Sequence, residues 1–133
     1  MGKRKVYDKG GFRYSSAEPQ PKRAPRRAWL SPEWKRPGPP VIPDKVRFFP
    51  DYLADLPLWG VSWQNPPLSR DLLQALCDWQ DEFDDHGIEE WPLSEWDPWF
   101  TMGTWLASLV RRELGRSVLV DVSYFIELED EDA

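Results

Sequence analysis

Cysteine and histidine are almost missing: the 133-residue chain has one of each, Cys77 and His86. A single cysteine excludes an internal disulfide framework. The pair cannot make a zinc site of ordinary composition without help from carboxylates. No apolar run approaches the roughly 18 residues that a membrane helix needs, so no span is expected. The N-terminus is charged with no apolar segment behind it, so no signal peptide is expected and the chain reads as cytoplasmic. Neither a phosphate loop of the Gly-rich Lys-Ser/Thr type nor a dinucleotide fingerprint occurs. Residues 82–93 have the outline of a calcium loop around Gly87, but Leu93 stands where the bidentate glutamate belongs. His86 at a helix end reads as structural rather than as a general base. This inventory points to a protein that is not an enzyme and has no cofactor or metal.

What the chain does have is charge, unevenly distributed. Residues 1–40 carry eleven Lys and Arg against three acidic residues, and residues 41–133 carry six against twenty. The halves attract each other, so the arm either folds back on the domain or reaches for another anion. Eight of the fourteen prolines lie between Met1 and Pro43, a density that favours extended backbone. Three segments follow: a basic, proline-rich arm over 1–43, a compact domain over 44–128, and an acidic tail over 129–133. Lys3, Arg4, Lys5, Lys22, Arg23, Arg26 and Arg27 form the arm's basic clusters, which suit either phosphate contacts or a solvated tail. Tyr7, Phe12, Tyr14, Trp29 and Trp34 are unusual in a tail that stays free, so part of the arm is expected to lie on a surface.

The domain is organised around Leu68–Gly115, which reads as two amphipathic helices joined by a tryptophan-rich turn. Ser69 is a suitable N-cap. Leu72, Leu76, Trp79 and Phe83, with Leu73 beside them, keep one helix side apolar. Cys77 borders that side and reads as a buried thiol. The opposite side carries Asp71, Gln74, Asp78, Asp81 and Asp85 in steps of three and four. Glu89 and Glu90 continue the run. Asp is a mediocre helix former, and anions near a helix C-terminus oppose the macrodipole. Local stability therefore does not explain the placement. Two readings stand: a solvated face, or a docking surface for a basic partner.

Asp97-Pro98 predicts the start of the second helix, with Trp99, Met102, Leu106, Leu109, Val110 and Leu114 on its buried side. Gly103 lies on that side, where close packing is the expected reason for it. Trp91 and Trp96 are expected in the preceding loop, where exposed rings would serve as interface anchors. Val46–Phe49 and Gly60–Trp63 read as short strands. Ser117–Leu128 gives the strongest strand signal, with Val118, Val120, Val122, Tyr124, Ile126 and Leu128 alternating onto one face. The expected fold is α+β: a small two-layer domain with a helix pair packed on a short, mainly antiparallel sheet.

Several stretches carry a resemblance: Val46-Arg47-Phe48-Phe49-Pro50-Asp51-Tyr52, Leu68-Ser69 with Leu72, Leu76, Trp79 and Glu82-Phe83-Asp84, and Gly103, Leu106 and Arg112-Glu113-Leu114-Gly115. From Val46 onward the chain resembles small acidic proteins of unknown function common in high-GC Gram-positive bacteria. Some proteins of that appearance resemble toxin-immunity proteins, which cover a toxin's active site. The resemblance implies a fold and a binding role but carries over no functional residue, and the basic arm departs from it.

These observations lead to a non-enzymatic binding protein, in its sharpest form an immunity-type inhibitor of a basic, nuclease-like toxin. Asp71, Asp78, Asp81, Asp85, Glu89 and Glu90 would supply the field, with Trp91 and Trp96 as anchors. The alternatives are a nucleic-acid- or ribosome-associated accessory protein held by the arm's basic residues, and a structural subunit of a larger assembly.

Overall fold

The computed structural model describes residues 26–86 and 91–132. A short 3-10 turn, Ala28–Leu30, precedes β1 (Lys45–Phe48) and β2 (Leu58–Trp59). Two helices follow, α1 (Arg70–His86) and α2 (Leu93–Leu114), and then β3 (Leu119–Asp121) and α3 (Ser123–Asp132). This is the expected α+β domain, with the helix pair against a small sheet.

β1 is the central strand, in the order β2-β1-β3. It pairs antiparallel with β2 through Arg47↔Trp59 and Phe48↔Leu58. It pairs in parallel with β3, from Lys45↔Leu119 to Arg47↔Asp121. The sheet is thus mixed, with one pairing of each kind. The physical reason is the helix pair, which serves as the crossover that a parallel strand requires. Strand alternation sends Val46 and Phe48, both fully buried, toward the helices and leaves Lys45 and Arg47 exposed. The second strand sits two residues earlier than its sequence signal. Gly60 ends it at φ 110°, where a Cβ would stand 2.8 Å from the Lys45 carbonyl oxygen.

α1 begins at the expected cap: the Leu72 amide donates to Ser69 Oγ at 3.3 Å. The Glu113 carboxylate accepts from the Ser69 amide and hydroxyl, both at 2.7 Å, clipping the start of α1 to the end of α2. Leu72, Leu73, Leu76, Cys77 and Trp79 form its buried face. α2 starts a full turn ahead of Asp97-Pro98, behind Pro92. Pro98 therefore lies inside the helix, where the Ser94 carbonyl loses its usual amide partner. The buried stripe is Trp96, Trp99, Phe100, Gly103, Leu106, Ala107, Val110 and Leu114. Met102, expected inside, is exposed. Gly115, at φ 92°, closes the helix by donating its amide to Arg111 O at 3.0 Å.

The long C-terminal strand is corrected. Only Leu119–Asp121 is extended, and the chain turns into α3 at Ser123. Asp121 Oδ1 accepts from the Ser123 amide at 3.0 Å and its hydroxyl at 2.7 Å, which bends the backbone out of the sheet. Phe125 then packs into the core, edge-on to Phe48 and stacked on Phe100.

Residues 26–38 lie on the domain. Trp29 is 2% exposed and belongs to the core cluster. Arg70 donates to the carbonyls of Trp29 and Ser31, and Arg36 to Asn65 Oδ1 and the carbonyls of Pro66 and Leu68. Lys3, Arg4, Lys5, Lys22 and Arg23 lie outside the described residues, as do Gly87, Glu89 and Glu90.

Candidate functional site: an acidic helix face and its groove

The acidic stripe faces outward along α1, with Asp71, Asp78, Asp81 and Asp85 all exposed. Asp81 and Asp84 have partners outside this helix. Arg27 Nη1 donates to both Asp81 oxygens, at 2.9 and 3.1 Å. Its Nε and Nη2 reach the carbonyls of Asp55 and Ala54 at 2.9 and 3.3 Å. Asp84 accepts from the Leu53 amide at 2.8 Å and from Gln80 Nε2 at 3.2 Å. Burial pushes the Asp84 carboxyl above its ordinary 3.8, and those two donors restrain the rise. The fully buried Gln80 also donates to the Asp51 carbonyl at 2.6 Å, so α1 holds the 51–57 loop in place. Asp78 accepts from Gln74 Nε2 at 2.9 Å. Among the described residues, no ion pair reaches Asp71, Asp78, Glu82 or Asp85.

The two expected anchors are not equivalent. Trp96 is 5% exposed inside α2, so its reading as an exposed loop residue is corrected. The early helix start rotates it into the core, against Trp99 and Phe100. Trp91 is half-buried and stacks on His86 at 3.7 Å, while His86 Nε2 lies 2.9 Å from Glu95. Leu93 is bare at the first residue of α2, and within the helix so are Met102, 46% exposed, and Trp105, 55% exposed.

These two rim a groove between α1 and α2 of about 310 Å³. The buried Trp79 and Leu106 lie at its base, and Asp78 and Glu82 line its α1 side. A shallower concavity over Pro98 and Thr101 continues it along α2 and shares Met102 and Trp105. The acidic stripe thus borders an open apolar groove. Such a surface can desolvate an aliphatic or aromatic side chain while carboxylates receive an ammonium or guanidinium group. The sequence reading missed Met102 and Trp105. The signal was available: a core stripe of 96, 99, 103, 106 and 110 leaves Pro98, Met102 and Trp105 as a second apolar line.

Of the seven residues in the arm's basic clusters, Arg26 and Arg27 are described, and both turn onto the domain. Arg26 pairs with Asp55. Arg27 is seated with 14% of its side chain exposed. Cys77 is 1% exposed, and its thiol is pushed up to about 11 by burial, against the pull of the Arg27 charge. Among the described residues, no group of three or more His, Cys, Asp or Glu is placed to hold a metal, and no helix is long and apolar enough to cross a membrane.

No protein-family model, curated protein or solved structure matches the chain.

Proposed function

We propose that this chain is a non-enzymatic binding module whose acidic α1 face, with the adjoining groove, engages a basic protein partner in the cytoplasm. The observation that carries this reading is the placement of bare Met102 and Trp105 beside Asp78 and Glu82. A merely solubilising face has no use for an exposed tryptophan and methionine at its border. Aromatic side chains and methionine are favoured at interface centres, and unpaired carboxylates around them speed encounter with a cationic surface. Asp71, Asp78 and Asp85 supply the field, with Glu82 in place of a role for Asp81, which Arg27 already neutralises. The sharpest form remains an immunity-type inhibitor of a nuclease-like toxin, because a surface that holds phosphate is basic.

The test is capture from the native host at two salt concentrations with the full chain and two variants, Asp78→Lys/Glu82→Lys and Met102→Ser/Trp105→Ser. The reading requires one stoichiometric basic protein, lost with either variant while circular dichroism stays unchanged. Equal capture by all three chains rules the face out. Recovery of nucleic acid or ribosomal material instead, dependent on Lys3, Arg4, Lys5, Lys22 and Arg23, establishes the accessory-protein alternative.

A further inference from the structure

The groove has a candidate occupant within the chain itself. Residues 1–25 carry seven Lys and Arg against two acidic residues, and they include Tyr7, Phe12 and Tyr14. They join the described structure at Arg26, beside Asp55, and Arg27, on Asp81. The arm therefore meets the domain on α1 itself, one residue from Glu82 and one turn from Asp78. Those two carboxylates line the groove on the adjoining flank of the same helix. Crossing from one flank to the other takes roughly 10 Å, the diameter of a helix with its side chains. At about 3.3 Å per residue, 25 extended residues reach roughly 80 Å, so length does not limit them.

We infer that the α1–α2 groove is a docking surface for the chain's own basic segment, residues 1–25. Its Lys and Arg side chains lie against Asp78, Glu82 and Asp85, and an arm aromatic rests on Met102 and Trp105. Charge complementarity favours this occupant over a second copy. Residues 41–133 carry six basic against twenty acidic residues, so two such faces repel each other. Tethering adds to the preference, since a short linker holds the segment at an effective concentration of order millimolar. Arg26 and Arg27 already show the mode, each placing a guanidinium on an aspartate of the domain. The inference shares its groove with the proposed function but needs no foreign protein, so either can fail alone. If both hold, a basic partner must displace the arm before it binds.

The buried, high-pKa Cys77 makes a clean test possible, because a new thiol in the arm can be labelled selectively. A nitroxide is placed on Ser16→Cys in the full chain, and the Trp105 indole N–H and Met102 methyl signals are followed by NMR. The expected result is strong broadening of both signals at low salt, lost at high salt. It is also lost when Lys3, Arg4, Lys5, Lys22 and Arg23 are changed together to Gln. Unbroadened Trp105 and Met102 signals at low salt overturn the inference. So does broadening that appears when spin-labelled chain is mixed with unlabelled, isotope-enriched chain, which assigns the groove to a second copy. The Gln variant also separates this result from the proposed function. If it still captures a basic partner, the binding role stands without the arm's.

Discussion

The indole rings of Trp79 and Trp99 lie 4.3 Å apart and 3° from parallel, and each donates its N–H to the other's main-chain carbonyl. The two bonds, 2.8 and 3.2 Å, join α1 to α2 at the centre of the core. Buried indoles require such acceptors, and a helical carbonyl has a second lone pair to offer. Trp79→Ala is expected to cost about 3–5 kcal/mol and Trp99→Phe about 1–3 kcal/mol in urea unfolding. Both acceptors are main-chain carbonyls that survive substitution, so coupling in a double-mutant cycle of the two Ala variants, roughly 0.5–3 kcal/mol, should come from the stacked rings. Strict additivity would leave the stacking without consequence.

Gly103 provides the space for this arrangement. A Cβ there would stand 2.5 Å from Trp79 Cζ2 and 2.6 Å from Phe125 Cζ. In an open helix, Gly→Ala stabilises by about 1 kcal/mol. Here overpacking should reverse the sign, with net destabilisation of about 1–3 kcal/mol. A raised melting temperature for Gly103→Ala would show that the rings have slack.

Arg27 and Asp81 form an asymmetric pair. Asp81 is half-exposed and meets Arg27, whereas the guanidinium also serves the Ala54 and Asp55 carbonyls. Asp81→Ala should therefore cost under about 1 kcal/mol and Arg27→Ala about 1–3 kcal/mol. Arg27→Lys should recover little, since an ammonium cannot span three acceptors in a planar fork. Equal losses from both alanine variants, measured by thermal unfolding, would count against this division.

Asp84 gives a pH signature of known sign. Its folded carboxyl sits above the ordinary 3.8, chiefly through burial. The folded state therefore holds this proton more tightly than the unfolded chain. The stability that Asp84 contributes is fully present below about pH 3.8 and declines as pH rises through the folded value. Compared with Asp84→Asn, which keeps an acceptor for the Leu53 amide, the natural chain should lose relative stability as pH rises from about 3.8 toward neutral. A flat difference in urea midpoints across that range would leave the burial without consequence.

The helix pair was legible because its buried residues recur at 3.6-residue spacing and Ser69 and Gly115 mark real ends. The C-terminal segment was not. Val118, Val120 and Val122 alternate as a strand should, but Val122, Phe125 and Leu128 also fit one helix face, and the Asp121–Ser123 turn decides between them. The start of α2 was misplaced because Asp97-Pro98 is a good helix opening in isolation, while burial of Trp96 favours an earlier one. With Trp96 left out of the stripe, the buried face was centred on the wrong side and Met102 was assigned to the core, which hid the groove. The outward placement of Asp71, Asp78, Asp81 and Asp85 on α1 was legible from spacing alone. That Asp81 and Asp84 serve Arg27 and the 51–57 loop depends on tertiary contacts that periodicity does not encode.

The parallel pairing of β1 with β3 also sets an order of assembly. Val46, at the centre of the sheet, meets Val120 only after both long helices have been made. Closing so distant a contact is slow. During synthesis β1 waits with one side unpaired, and an unpaired strand edge invites association with other chains. A chain cut short before Leu119 would retain its helix hairpin yet leave that edge open. Full-length product and late truncations should therefore differ more in solubility than in helix content.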